Sequence, residues 1–359
     1  MSRVLIMAGG TGGHVYPGLA VAQALREKGV EVVWMGTRKG LEARVVPAAG
    51  FSLEFINISG LKGKGMLTWL LLPFRLSRAL LQSWAIVRRL QPTAILSMGG
   101  FVAGPGGLVG WLMGKPLLVH EQNGIAGFTN RILSLFAKRI MTGFPGVFSH
   151  YQKTEYVGNP VRAEIGALAM PDIRLATHSG PLKVLVIGGS QGARKLNQVI
   201  ADVIHQWDTE SSPEVWHQCG ERWLEETRER YGEAGRKKIR LMPFIENMAE
   251  AYDWADVVIC RSGAMTIAEL AAAGVASVLV PFPYAADDHQ TANAAFLAAR
   301  DAAVLIPEAQ LTVGRLHEAL HDLDQNRDVI LKLAMNARAC AMPGACDRMV
   351  EICQEVTYA

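Results

Sequence analysis

Two stretches of this 359-residue chain carry residue types that let a ligand reach the main chain. Near the start, Gly9, Gly10, Gly12 and Gly13 follow an apolar run and precede His14 in VLIMAGGTGGHVYPG. Far downstream, Gly188, Gly189 and Gly192 surround Ser190 in VLVIGGSQGA. A dinucleotide site would require G-x-G-x-x-G and an acid about 20 residues on, at the end of the next strand. Neither loop has that spacing, and the following strands end in WMGT and WHQCG without an acid. A Walker loop is absent too, because Gly-Lys at 63–64 and 114–115 is followed by neither Ser nor Thr. Close packing of a strand against a helix explains any single loop of this kind with no ligand. Phosphate or sugar binding is the remaining chemistry. Gly188, Gly189 and Gly192 are expected to leave backbone N–H groups open at a helix start, where partial positive charge suits a diphosphate, and Ser190 adds a hydroxyl. RSGAMTIAEL offers another helix start, although Thr266-x-x-Glu269 also reads as a plain capping box.

The elements that would position these loops alternate between strand and helix. RVLIMAGGTGG from Arg3 is echoed by KVLVIGGSQGA from Lys183, which suggests two α/β domains of similar architecture. Gly158 and Pro160 in VGNPVR, 157–162, mark the expected boundary. Further strands are expected at Glu31–Trp34, Ala94–Met98, Leu117–His120, Val215–His217, Val257–Cys260 and in ASVLVPF, with a helical tail. Such alternation implies mostly parallel sheets covered on both faces, with ligands beyond the carboxyl ends of the strands.

Composition narrows the class. Half of the residues are hydrophobic, enough for two sizeable cores. Five cysteines, at 219, 260, 340, 346 and 353, include no Cys-x-x-Cys pair, so a reducing cytoplasm is expected rather than a disulfide framework or zinc site. Val4–Ala8 is too short for a secretory leader. Leu90–Gly114 lacks charge but holds seven glycines and two prolines, and reads as strand, loop and short helix rather than a membrane span. The net charge of +3 divides into +11 over residues 1–160 and −8 over the rest, so the first half is expected to meet something anionic.

Taken together, AGGTGGHVYPGLA, MGGFVAGPGG, HEQNGIAGFTN, VGNPVR, GGSQGAR, CRSGAMTIAELAAAG and Q-x-x-N at 290–293 resemble the MurG family, peripheral glycosyltransferases that make lipid II for peptidoglycan. The similarity runs in order from about residue 4 to 300. It implies an α/β fold of two Rossmann-like domains facing a cleft, the GT-B architecture, with mostly parallel sheets. Residues 1–160 would face acceptor and membrane, 161–340 would bind the donor, and 341–359 would form a helical tail packing back on the first domain. The implied reaction moves N-acetylglucosamine from UDP-GlcNAc to the C4 hydroxyl of the muramoyl sugar of lipid I, with inversion and with neither metal nor cofactor. None of the strand-end loops carries Asp-x-Asp, and Asp287 and Asp288 are adjacent rather than alternate.

By the same resemblance, Ser190 and Arg162 would lie at the donor, and the main chain around Ile245 would meet uracil. Ala264, Met265 and Thr266 would face phosphate, with Ile267 and Ala268 leading to Glu269, which would accept from ribose hydroxyls. Gln290 would hold sugar hydroxyls, while the register of His289 in PFPYAADDHQ is less defined. Thr11, Gly12, Gly13 and Asn123 would close on the donor sugar, and the first glycine loop would also shape the acceptor pocket. His14 is the candidate base, since an ordinary imidazole titrates near neutrality; Glu121 is the alternative. A UDP-sugar epimerase and a non-catalytic membrane-surface protein are the rival readings. Implied partners are lipid I, an anionic membrane surface at the cytoplasmic face of the inner membrane, and a cell-wall synthesis complex, with no nucleic acid. Within residues 63–90, a helix from about Pro73 would bury Leu76, Leu80, Val87 and Leu90. It would present Phe74 and Leu81 beside Arg78, Arg88 and Arg89 to lipid, with Lys62 and Lys64 extending the basic patch.

Overall fold

The computed structural model describes residues 2–59, 72–189, 191–207, 212–232 and 238–358. The chain divides into one compact unit of Met1–Val161 with Gly344–Ala359, and another of Arg162–Pro343. Ser190, Lys62 and Lys64 lie outside the described residues.

The first unit runs β1 (Arg3–Met7), α1 (Gly12–Glu27), β2 (Glu31–Gly36), α2 (Glu42–Ala48), β3 (Ser52–Phe55), α3 (Leu72–Leu90), β4 (Ala94–Ser97), α4 (Ala103–Leu112), β5 (Leu117–Glu121), α5 (Phe128–Phe136), β6 (Arg139–Thr142) and β7 (Thr154–Tyr156). Its seven strands are ordered β3-β2-β1-β4-β5-β6-β7, all parallel. Strands buried on both faces read as continuous apolar runs, and Val4–Met7 are wholly buried. Small residues set the helix distances. A Cβ on Gly18 of α1 would lie 2.6 Å from the Trp34 ring, and one on Gly110 of α4 would lie 2.0 Å from Ile95. The Trp34 indole N–H donates to Ala8 O at 2.9 Å and anchors the start of the first glycine loop.

The second unit begins with two short helices, α6 (Ala163–Gly166) and α7 (Pro171–Ala176). There follow β8 (Lys183–Ile187), α8 (Arg194–Ile204), β9 (Glu214–Gln218), α9 (Leu224–Tyr231), β10 (Ile239–Met242), α10 (Met248–Trp254), β11 (Val257–Cys260), α11 (Ala264–Ala273), β12 (Ala276–Leu279), α12 (His289–Ala298), β13 (Val304–Leu305), α13 (Val313–Gln325) and α14 (Arg327–Ala339). Its six strands are ordered β10-β9-β8-β11-β12-β13 and are again parallel. The last helix, α15 (Ala345–Tyr358), belongs to the first unit, where Met349, Val350, Ile352, Cys353 and Val356 join the core that holds β1 and α1.

Each core contains a histidine held neutral by burial. His217 lies between Tyr231 Oη (2.8 Å from Nδ1) and Asn197 Oδ1 (3.1 Å from Nε2), and its pKa is lowered to about 3. His120, whose Nε2–H donates to Gly158 O at 3.1 Å, is lowered to about 4 by burial. Between these values and the ordinary 6.5, the unfolded chain binds protons that the folded chain does not. Stability is therefore expected to fall as pH drops from about 6.5, by about 1.4 kcal/mol per pH unit for each histidine. Urea midpoints between pH 7 and 4.5 measure this; a flat profile would mean that these imidazoles accept protons in the fold.

Candidate functional site

In each sheet the connections wind outward from one central strand pair, which places two loops side by side at its carboxyl edge. In the second unit the pair is β8 and β11, whose last residues Ile187 and Cys260 are register partners. The glycines after β8 do not leave their amides open, as the sequence suggested. Gly188 N–H donates to Gln218 O (3.0 Å), Gly189 N–H to Gln218 Oε1 (3.0 Å) and Gly192 N–H to Gly189 O (2.9 Å). Glycine is needed here for close approach: Gly192 has φ +70°, and a Cβ would lie 2.2 Å from Cys219 O. The Gln218 amide also donates to Gly189 O and Pro243 O, tying the loop to the neighbouring strand end. The first turn of α8, rather than the glycines, is then the part of this side suited to an anion.

After β11 the chain turns at Gly263, the N-cap of α11. Thr266 is thus the third helical residue and Glu269 the sixth, and the capping-box reading fails. Ala264 and Ile267 are buried against the sheet, while Ala264, Met265 and Thr266 supply first-turn amides. Ala268 carries the helix on to Glu269, whose side chain is 15% exposed. Its Oε1 accepts from Arg162 Nη2 at 3.0 Å and its Oε2 from Tyr252 Oη at 3.1 Å. Burial raises this carboxyl pKa, against the lowering effect of Arg162 and Tyr252. At the far end of α11, Arg174 donates to Ala273 O (2.7 Å) and Gly274 O (2.6 Å), and Arg338 donates to Ala272 O.

Gln290 Oε1 accepts from Phe282 N–H at 2.9 Å, and Gln290 O accepts from Ser262 Oγ–H at 2.8 Å. Asn293 Nδ2 donates to Ser262 O at 3.1 Å. The Q-x-x-N pair therefore fastens the start of α12 to the loop after β11, and the Gln290 amide N–H groups are the part suited to a sugar. His289 is the first residue of α12. The Ile245 side chain is 4% exposed, so its main chain is the part suited to a base.

In the first unit the central pair is β1 and β4, with Met7 opposite Ser97. Their loops touch through main chain: Gly100 has φ +82°, and a Cβ there would lie 2.5 Å from Gly9 O. Glu42 is wholly buried below them. It accepts from Gly10 N (3.1 Å), Thr37 N (2.9 Å) and Thr37 Oγ1 (2.8 Å). Thr11 caps α1 ahead of Gly12 and Gly13, and its Oγ1 lies 3.0 Å from His14 Nδ1. The His14 ring lies over Gly99, where a Cβ would come within 2.9 Å of Cδ2. Glu42 went unread in the sequence because a lone acid after a strand carries no motif.

Glu121, offered as the alternative base, is held by its neighbours. It is 2% exposed, and both oxygens are engaged. Oε1 accepts from Asn123 N (3.0 Å) and Nδ2 (3.3 Å), and Oε2 from Gly127 N (3.0 Å) and Asn130 Nδ2 (3.0 Å). The carboxylate organises the loop that presents Asn123.

The helix expected to meet lipid is α3, but its buried face is Ala79, Ser83, Ile86 and Val87. Leu76, expected in the core, is 41% exposed, and Leu80 and Leu90 are only partly buried. Helix α3 packs on the glycine-rich α4, and small Ser83 reaches the sheet with its Oγ 3.9 Å from Met35 Sδ, so the larger leucines are left outside. Phe74 (76%) and Leu81 (68%) are exposed, as are Arg78 and Arg88. Trp84 lies under the Arg88 guanidinium at 5.0 Å. Exposed Trp111 and Leu112 on α4, and Phe128 and Leu135 on α5, were not anticipated. Among the described residues no helix is long and apolar enough to cross a membrane.

The Glu121 network generates a stability prediction. In Glu121→Gln, the amide NH2 must face two N–H donors in either orientation. We expect a loss of about 2–3 kcal/mol, read by urea unfolding. Unchanged stability with abolished turnover would return Glu121 to the chemistry.

Residues 4–142 match the glycosyltransferase family 28 N-terminal domain, and residues 183–349 match its C-terminal domain. A Nitrosococcus oceani protein named UDP-N-acetylglucosamine--N-acetylmuramyl-(pentapeptide) pyrophosphoryl-undecaprenol N-acetylglucosamine transferase is 51% identical over 354 residues, 99% of this chain and 98% of its own. The crystal structure of Acinetobacter baumannii MurG is 38% identical, with a TM-score of 0.86 over 99% of this chain and 100% of that one. A Listeria monocytogenes chain described as a UDP-N-acetylglucosamine 2-epimerase is only 13% identical, with a TM-score of 0.66 over 97% of this chain and 94% of its own. That likeness is one of fold alone and gives the epimerase reading no support. With both glycosyltransferase domains matched and half of all residues shared along nearly the whole length, the chain belongs to the MurG family within glycosyltransferase family 28.

Proposed function

We propose that this chain transfers N-acetylglucosamine from UDP-N-acetylglucosamine to the C4 hydroxyl of the muramoyl sugar on an undecaprenyl-diphosphate acceptor, producing lipid II. The observation that carries this reading is the near-complete match to transferases bearing that name, 51% identical over 99% of the chain. The reaction is a single displacement with inversion. The acceptor oxygen bonds to the anomeric carbon, the bond to the diphosphate breaks, and the hydroxyl proton passes to a base.

The donor would sit at the carboxyl edge of β8 and β11. The N-termini of α8 and α11 would receive the diphosphate, where their partial charge grows in value as the leaving group gains negative charge. Ser190 would add a hydroxyl there, and Arg162 a guanidinium. The main chain at Ile245 would meet uracil, Glu269 the ribose hydroxyls, and Gln290 the sugar. In the first unit, Thr11–Gly13 and Asn123 would complete the donor-sugar contacts, and the first loop would shape the acceptor site. His14 would be the base. With Nδ1 bonded to Thr11 Oγ1, Nε2 is the nitrogen that would take the proton.

The activity test is labelled UDP-N-acetylglucosamine with a lipid I analogue, with and without EDTA. Product should form in both arms, and with no acceptor there should be no interconversion of the nucleotide sugar. His14→Ala should lower turnover about 100- to 10,000-fold while calorimetry shows UDP binding intact. Collapse of UDP affinity alongside turnover would move His14 to nucleotide binding or folding. Glu269→Ala should weaken donor use more than Glu269→Gln, which still offers an acceptor.

The exposed side of α3 would hold this enzyme on an anionic bilayer at the cytoplasmic face of the membrane, close to its lipid-linked acceptor. Its apolar side chains would enter the interface, and each nearby arginine would add about 1 kcal/mol, screened by salt. Phe74→Ser with Leu81→Ser, and separately Arg78→Glu with Arg88→Glu, should reduce flotation with phosphatidylglycerol vesicles and spare activity on a short-chain soluble acceptor. Wild-type flotation by both folded variants would place the membrane face elsewhere.

A further inference from the structure

Among the described residues, Tyr252 contributes the polar contact to Glu269 that comes from inside the core. It lies on α10, which packs against α11, and is wholly buried. Its hydroxyl is 3.1 Å from Glu269 Oε2. A phenylalanine would fill the same space, so packing alone does not require the oxygen. A phenol has one proton to donate, and here a carboxylate receives it. Burial and the neighbouring Glu269 charge push the Tyr252 pKa well up, so the hydroxyl remains a donor throughout the working pH range. Arg162 approaches Oε1 from a side chain that is 49% exposed, where solvent screens it and long side-chain freedom weakens it. The rigid member of the pair is Tyr252.

A carboxylate offers about four lone-pair directions. Tyr252 and Arg162 occupy one on each oxygen, which fixes the rotation of the group and leaves the remaining directions for outside donors. We propose that Tyr252 is a positioning residue for the nucleotide: its hydroxyl holds the Glu269 carboxylate in the orientation that accepts ribose hydroxyls, making the pair a determinant of ribose over deoxyribose. This rests on the assignment of Glu269 to the ribose given above. Without the phenol, Oε2 is a buried acceptor lacking its core donor. The carboxylate can then rotate away or take up a proton, and a protonated carboxyl accepts less well.

The test is calorimetry with UDP and with 2′,3′-dideoxy-UDP on wild type, Tyr252→Phe, Glu269→Ala and the double variant. Wild type should prefer UDP by about 10-fold or more, the scale of hydrogen bonds to a charged group. Tyr252→Phe should weaken UDP about 5- to 10-fold and leave the dideoxy nucleotide within about twofold. In the Glu269→Ala background, where no acceptor remains for the phenol to orient, adding Tyr252→Phe should change UDP affinity by less than about twofold; this comparison stands even if the single Phe variant does not fold. Equal weakening of both nucleotides, unchanged UDP affinity in Tyr252→Phe, or a further loss in the double variant would each overturn the role of Tyr252. A wild type that binds the two nucleotides equally would instead overturn the ribose assignment itself.

Discussion

Parallel strands can be joined only by crossovers, and those crossovers are right-handed. Where they wind outward in both directions from one strand pair, the two loops at that pair part and leave room at the carboxyl edge. Both units of this chain have such a pair, β1 with β4 and β8 with β11. The placement of the two glycine loops and of the α11 N-terminus follows from that constraint. The glycine loops, the helix N-termini of α1, α8 and α11, and the loop carrying Asn123 all begin within a few residues of a strand end. The chemistry is thus set by what the loops carry, while its location is set by topology.

Loops at such an edge have no ladder to satisfy their amides, and a buried amide without a partner is costly. This chain meets the need with side-chain acceptors from below. Glu42 takes the Gly10 amide, Glu121 takes those of Asn123 and Gly127, and Gln218 takes that of Gly189. The hydrogen bonds to the Glu42 and Glu121 carboxylates are charge-assisted, and all of these bonds hold the main chain above to one shape. Pre-set loops leave less ordering to be done when a ligand arrives. The same reasoning explains why acids here need not be catalytic: a buried carboxylate surrounded by amides has its lone pairs already committed.

How much of this was legible in the sequence follows from the kind of signal involved. β11 (Val257–Cys260) has its expected bounds, and β4, β5 and β9 lie within a residue of theirs, because apolar runs stopped by glycine or polar residues mark buried parallel strands directly. Short edge strands such as β3 and β13 gave no such run and went unread. The glycine loops were placed correctly but misread in detail. Glycine at 188, 189 and 192 reports a close approach, and sequence does not say whether a ligand or Gln218 makes it. Thr266-x-x-Glu269 imitated a capping box because the spacing is right; the true cap at Gly263 has no side chain to signal it. The α3 stripe was drawn through its leucines, whereas close packing selected Ala79 and Ser83. Tyr252 and Glu42 act through contacts distant in sequence, and no local pattern reveals such partners.

The second unit, Arg162–Pro343, carries a net charge of −6, an unfavourable general field for a nucleoside diphosphate. Recognition there must be local. The α11 helix would supply this, since Arg174 and Arg338 bind its carbonyl end and leave its N-terminal amides at the loop edge. Cations at a helix C-terminus stabilise the helix dipole without consuming the positive end. The first unit, at +9 with α15 included, would instead use long-range attraction, which suits a lipid-linked diphosphate on an anionic surface. Under the proposed function, two units built on one architecture would handle two diphosphates by different electrostatics: one by a short-range helix terminus, the other by a broad basic field.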